Sequence, residues 1–114
     1  QTNLSRRTRV FKVAPRVLTD NGASHHFTVI EVNGRDRPGL LYDVTRALSG
    51  LSLQIASAHV TTYGERAVDV FYVKDIFGMK IEHETKQKQI RETLIAAIEG
   101  WETRAEAAVA AAGK

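Results

Sequence analysis

Between Phe27 and Leu51 the apolar pattern changes period once, and that change limits the fold more than any other feature. "FTVIEVN" (27–33) is a nearly continuous apolar run, as expected of a central strand covered on both faces. Beyond "GRDRPG", Leu40, Leu41, Val44, Leu48 and Leu51 recur at helical spacing, which predicts an amphipathic helix over 38–50. Pro38 suits the first helical turn, where its missing N–H is not needed. Asp36 or Arg37 then precedes it as the cap, Asp being the better side chain, and Gly50 ends the helix.

The flanking segments extend this strand–helix unit. "VFKVAPRVLT" (10–19) is strand-like but broken by Pro15, so it reads as an edge strand or two short ones. "DNGAS" is a turn. Segments 53–63 and 66–75 read as a hairpin across the tight turn "GE". Gly78 pivots the connection "IFGMKI". A second helix is predicted over 83–98, burying Ile90, Leu94 and Ile98, with Trp101 extending the face and Lys86, Lys88, Arg91 and Glu92 outward. The alanine-rich "TRAEAAVAAAGK" either extends this helix or frays.

The order is ββαββα. A ferredoxin-like βαββαβ sandwich closes its sheet with a strand after the second helix, on the edge beside its first strand. No strand follows the second helix here, and the segment 10–19 reaches that edge as a hairpin with 27–33. The expected fold is therefore an α+β sandwich, a four-stranded antiparallel sheet with two helices on one face. Apolar residues on the uncovered face would favour a partner domain or a homodimer.

With 114 residues the chain suffices for one small domain, 10–100, with a disordered arm at 1–9 and a helical or frayed tail at 101–114. It does not begin with Met, as expected of a piece cut from a longer protein. A net charge of +3 is mild, and several of the basic residues (Arg6, Arg7, Arg9 and Lys12) sit in the first dozen positions, reading as an arm and not a stripe across a fold. The chain has no cysteine, hence no disulfide framework, which fits a reducing compartment and a cytoplasmic location. No apolar run approaches the roughly 18 residues of a membrane span.

Several chemistries find no footing. His25 and His26 are adjacent and point to opposite faces of any strand, while His59 and His83 stand alone, so no metal-ligand spacing is present. No nucleophile has a base and an orienting partner, and neither a nucleophile elbow nor a phosphate-binding glycine loop occurs. Catalysis by this chain is not expected. RNA-binding domains of the same topology stack bases on aromatics of their third strand. Here Phe71 and Tyr72 are adjacent and face opposite ways, and Asp69 shares the face of Phe71, so a core Phe and a partly exposed Tyr are expected. No nucleic-acid or membrane partner is expected.

"VIEVNGRDRPGLLYDVTRALSGLSLQIASAHVTTYGERAVDVFYV" resembles an ACT domain, the small ligand-binding regulatory module of amino-acid metabolism. "PRVLTDNGASHHFTVIEVNGRDRPGLLYDVT" followed by "YGERAVDVFYVKDIFGMKI" narrows the resemblance to the C-terminal ACT domains of the uridylyltransferase/uridylyl-removing enzymes of the PII signal protein. The resemblance implies a glutamine-sensing domain in the allosteric control of nitrogen metabolism. Nucleotidyl transfer, its reversal and any Mg²⁺ they use would belong to other domains, and those domains, the PII protein and a second ACT domain would be its partners. The alternative is a dimerisation or interaction module without its own ligand.

The resemblance places the amino acid at the first strand-to-helix loop. There Asp36 offers a carboxylate for an α-ammonium, Asn33 can hydrogen-bond a side-chain amide, and Arg37 can meet a carboxylate. Pro38, Gly39, Leu40 and Leu41 open the helix, whose amides and dipole favour an α-carboxylate. Ala56, Ser57 and Ala58 are the expected opposing wall, either from the same subunit or from a neighbour. The same residues also make an ordinary turn, with Asp36 capping, Pro38 starting the helix and Gly39 allowing close packing. Arg35 and Arg37 are expected chiefly as solvated residues or weak surface pairs.

Overall fold

The structure, a computed structural model, describes residues 14–112. Along the chain run β1 (Arg16–Asp20), β2 (Thr28–Arg35), α1 (Leu40–Gly50), β3 (Gln54–Tyr63), β4 (Arg66–Lys74) and α2 (Glu84–Ala112). The strands form one antiparallel sheet in the order β1-β2-β4-β3. This is the ferredoxin-like arrangement, with β1 filling the edge that a strand after the second helix would otherwise occupy. The expected arm at 1–9 and the first part of the expected edge strand lie outside the described residues. What is seen of that strand starts at Arg16, immediately after Pro15, whose missing N–H cannot join a ladder.

Register assigns the faces. Ile30 pairs with Phe71 and Val32 with Asp69 across β2 and β4, and Val17 pairs with Val32 across β1 and β2. Strand alternation therefore puts Val17, Ile30, Val32, Ala67, Asp69, Phe71 and Val73 on one face. All but Asp69 pack with Val44 and Leu48 of α1 and Ile90, Leu94 and Ile98 of α2 in a single core. Phe71 is fully buried and Tyr72 half-buried, so the adjacent aromatics do part to opposite faces. On the other face Tyr72 meets Phe27 and His59 edge-on, at centroid distances of 6.2 and 5.6 Å.

The start of α1 differs from the expectation. The helix begins at Leu40 and its N-cap is Gly39, at φ 81° and ψ −1°, with no side-chain cap bond. The Leu40 N–H donates to the Arg37 carbonyl at 3.3 Å. Arg37-Pro38-Gly39-Leu40 is therefore a type II turn, with Pro at its second position and Gly at the third, where φ must be positive. The turn uses up Pro38 and delays the helix by two residues, so Asp36 and Arg37 are not caps. A Cβ at Gly39 would lie 3.5 Å from Arg37 Nη1, an ordinary contact. The left-handed backbone, and not a lack of space, is what requires glycine there. Gly39→Ala is expected to lower unfolding stability by about 1 kcal/mol. A shifted urea midpoint with unchanged slope would show it.

At the other end, Ser52 and not Gly50 takes the left-handed conformation, at φ 63°. Leu53 N–H donates to the Leu48 carbonyl and Ser52 N–H to that of Ser49, which is the Schellman arrangement. Buried Leu53 holds this exit against the core. Helix α2 runs well past the predicted 98, taking in the alanine-rich segment as far as Ala112. Lys86 and Arg91, expected outward, are half-buried because their heads find acceptors: Leu51 carbonyl at 3.1 Å and Thr19 Oγ1 at 3.0 Å.

Candidate functional site

The loop joining β2 to α1 is fixed from three sides. Its Asp36 N–H donates to the Glu65 carbonyl in the β3–β4 turn, at 2.8 Å. Its type II turn fixes 37–40. Its third tie is the Arg37 side chain, which folds back beneath the turn and is only 4% exposed. Arg37 Nη1 meets Asp43 Oδ2 at 2.9 Å and donates to the Pro38 carbonyl at 3.2 Å. The guanidinium carbon lies 4.1 Å from the centre of the Trp101 ring, so α2 supplies a flat cation-binding surface for it. This corrects the expectation of a solvated arginine. The turn aims the side chain inward, and Trp101 and Asp43 receive it there. Arg35, by contrast, is exposed.

Above this tie a cleft of about 380 Å³ opens between the start of α1 and the β3–β4 hairpin. It is lined by Asp36, Arg37, Gly39, Leu40, Leu41 and Tyr42 on one side. Val60 of β3 and Ala67 and Asp69 of β4 form the other. Leu41, placed by helical spacing on the buried stripe, is exposed and faces this cleft instead.

The electrostatics of the cleft are unusual for a surface depression. Asp69 lies on the core face of β4 and is 1% exposed. Its Oδ1 has no hydrogen-bond partner. Burial first, and the nearby Asp36 carboxylate second, hold the Asp69 carboxyl above its ordinary range. Arg37 Nε and Nη2 are likewise buried and unpartnered. Buried polar groups are ordinarily satisfied, and each one left open costs folding free energy. The cleft thus sets an unpartnered buried carboxylate beside an arginine that is paired through Nη1 but open at Nε and Nη2, with apolar walls from Leu40, Leu41, Val60 and Ala67. Chemically, such a cleft can offer carboxylates to a cationic group and arginine N–H donors to an acceptor.

Five of the ten residues expected at the site line this cleft: Asp36, Arg37, Gly39, Leu40 and Leu41. Pro38 is in the turn but does not line it. Asn33 lies on the opposite sheet face, where its Nδ2 donates to Glu31 Oε2 at 2.7 Å. Ala56, Ser57 and Ala58 do not line it either. A register shift between Ile55 and Ser57 makes Ala56 the extra residue of a bulge, and Val60 is the β3 residue at the cleft. Sequence reasoning missed Tyr42, Val60, Ala67 and Asp69. Only Asp69 carried a signal, as a charged residue in the alternating series Ala67, Asp69, Phe71, Val73.

Among the described residues no group of three or more His, Cys, Asp and Glu side chains is placed to hold a metal ion. No helix among them is long and apolar enough to cross a membrane.

A family model described as "ACR9-like, ACT-like domain" matches residues 16–100. The chain is 70% identical over 92 residues to a bifunctional uridylyltransferase/uridylyl-removing enzyme of Azospirillum brasilense, covering 81% of the chain and 10% of that protein. It is 65% identical over 94 residues to the enzyme of the same name from Gluconobacter oxydans, covering 82% of the chain and 10% of that protein. The counterpart in Rhodospirillum rubrum is 65% identical over 95 residues, with 83% of the chain and 10% of that protein covered. The chain therefore spans about a tenth of the length of these curated relatives.

Proposed function

The chain belongs to the ACT-like domain family, and we propose that it is the amino-acid-sensing regulatory domain of a uridylyltransferase/uridylyl-removing enzyme, with glutamine as effector. The observation that carries this reading is the cleft at the start of α1, where buried Arg37 and the carboxylates of Asp36 and Asp69 converge without satisfying one another. An α-amino acid supplies a cation for the carboxylates and an acceptor for the open N–H groups of Arg37. Its α-carboxylate is drawn to Arg37 and to the positive end of α1. Its ammonium is drawn to the carboxylates. The names of the relatives support the enzyme context.

In this reading, uridylyl transfer to the PII protein, its reversal and the Mg²⁺ they use belong to the rest of such an enzyme, in the cytoplasm. The chain contributes a differential affinity. Glutamine shifts the balance between two arrangements of the domains only to the extent that it binds one more tightly than the other.

Calorimetric titration with glutamine, glutamate and asparagine tests the reading. Glutamine is expected to bind and to raise the melting temperature as its concentration passes the dissociation constant. Asp36→Ala is expected to remove the response and leave the fold intact, because Asp36 caps nothing. The second reading, an interaction module that forms a homodimer or domain pair without a ligand, rests on β3. That strand is a ten-residue sheet edge exposed along nearly its whole length. Self-association that no amino acid alters would favour it and overturn the sensor.

A further inference from the structure

Asp69 is a buried carboxylate with no hydrogen-bond partner at Oδ1. It sits in the middle of β4 and pairs in register with Val32 of β2 and Val60 of β3. Those neighbours are apolar. The charged groups on the same cleft are Asp36 and Arg37, both from the loop, and α1 adds the phenol of Tyr42. Arg37 is committed through Nη1 to Asp43 of α1, and α2 contributes no residue to the lining. No ion pair or hydrogen bond among the described residues satisfies Asp69, although it lines a cleft open to a ligand.

We propose that Asp69 is the ammonium-recognising group at the floor of the cleft, with Asp36 at its rim, and that binding of an α-amino acid there is proton-linked. The proposal rests on the amino-acid reading of the site and adds the residue that reads the amine. A primary ammonium has three donors on a compact charge. It can satisfy both carboxylates at once and cancel the repulsion between them. A divalent metal ion asks for about six oxygen ligands, and the apolar walls supply none.

Proton linkage follows from the same geometry. Desolvation and Asp36 favour the protonated carboxyl when the cleft is empty. An arriving ammonium favours the carboxylate. Where Asp69 is protonated beforehand, its proton leaves for solvent as the ammonium takes its place, and the ligand keeps all of its own. Affinity therefore rises with pH until Asp69 is ionised in the empty cleft, and is level above that.

The test compares glutamine with 4-carbamoylbutanoate, which is glutamine without its amine. Each is titrated calorimetrically into the wild-type chain, Asp69→Asn and Asp69→Glu at several pH values from 4.5 to 8, with thermal melts confirming that the variants fold. The wild type is expected to prefer glutamine by about tenfold or more, the scale of a charge-assisted hydrogen bond. Asp69→Asn is expected to lose most of that preference and the pH dependence together, and Asp69→Glu to retain part of both. Preference intact in Asp69→Asn, or a pH-independent wild-type affinity, would overturn the proposal and leave the amino-acid reading standing. Failure of the wild type to bind glutamine at any pH would overturn both. Binding of Mg²⁺ or Ca²⁺ alone, lost in Asp69→Asn, would overturn it in favour of a cation site.

Discussion

Asp69→Asn is expected to make the ligand-free chain more stable at pH 7, by about 2 kcal/mol, against the general tendency of core substitutions to destabilise. The reason is local. Asn nearly matches Asp in volume, so the packing among Val32, Val60, Ala67 and Phe71 survives. What disappears is a carboxylate that the fold desolvates, places near Asp36 and leaves unpartnered. The pH dependence has a definite sign. The folded-state value lies above the ordinary 3.8, so the folded state holds the proton more tightly than the unfolded chain does. The stability this gives the wild type is complete below about pH 3.8 and is lost as pH rises through the raised folded value. The gap between variant and wild type should therefore be small in acid, open upward from there, and become level once Asp69 is ionised in both states. Urea midpoints between pH 3 and 8 measure it. A variant less stable at every pH would mean that the side chain has a structural partner, and a gap independent of pH would mean that its charge is not the cause.

This places the stability cost and the proposed ligand chemistry on one atom. A site that binds a charged amine must hold a carboxylate unsatisfied until the amine arrives, and the empty protein carries that penalty. The same reasoning separates what the sequence made legible from what it did not. The sheet order, the two helices on one face and the displaced edge strand follow from apolar periods and hairpin spacing. Those signals depend on burial, which each segment records in itself. Ile30 and Val32 are core residues by their place in a continuous apolar run, Phe71 by alternation, and Ile90, Leu94 and Ile98 by helical spacing.

The cleft was legible only on its loop side. Its far wall lies at Val60, which the tight β3–β4 turn sets opposite Asp69, while the bulge at Ala56 shifts only Gln54 and Ile55. Ala56, Ser57 and Ala58 lie farther from that turn and do not line this cleft, because the level of β3 that the loop faces depends on how α1 crosses the sheet, which no local pattern encodes. The helix start was ambiguous for a different reason. Pro38 is equally at home in a first helical turn and at the second position of a type II turn. Gly39 decides between them, and its φ is a structural fact. The alternation also put Asp69 on the face of Phe71. That this face is covered by helices over Phe71 and opens into a cleft at Asp69 depends on how α1 crosses the sheet.

The second large effect is expected at Arg37. Arg37→Ala should cost about 2–4 kcal/mol, through the vacated volume beneath the turn, the ion pair to Asp43 and the contact with Trp101. Arg37→Lys should recover little of this, because an ammonium cannot lie flat on the indole while its head serves Asp43 and the Pro38 carbonyl. Arg37 also joins the loop to the C-terminal part of α2. Its backbone opens the type II turn, and its guanidinium rests on Trp101, beyond Ile98, the last apolar α2 residue in the core. Loss of the contact should therefore loosen the loop and the C-terminal part of α2 together, ahead of the sheet. Trp101 is the one tryptophan of the chain, so its emission reports the change without a label. A red shift in Arg37→Ala, with faster amide exchange in both 36–41 and 99–112, is the expected result. Faster exchange in the loop alone would show that the helix is held by other contacts, and that the guanidinium–indole contact does not couple it to the cleft.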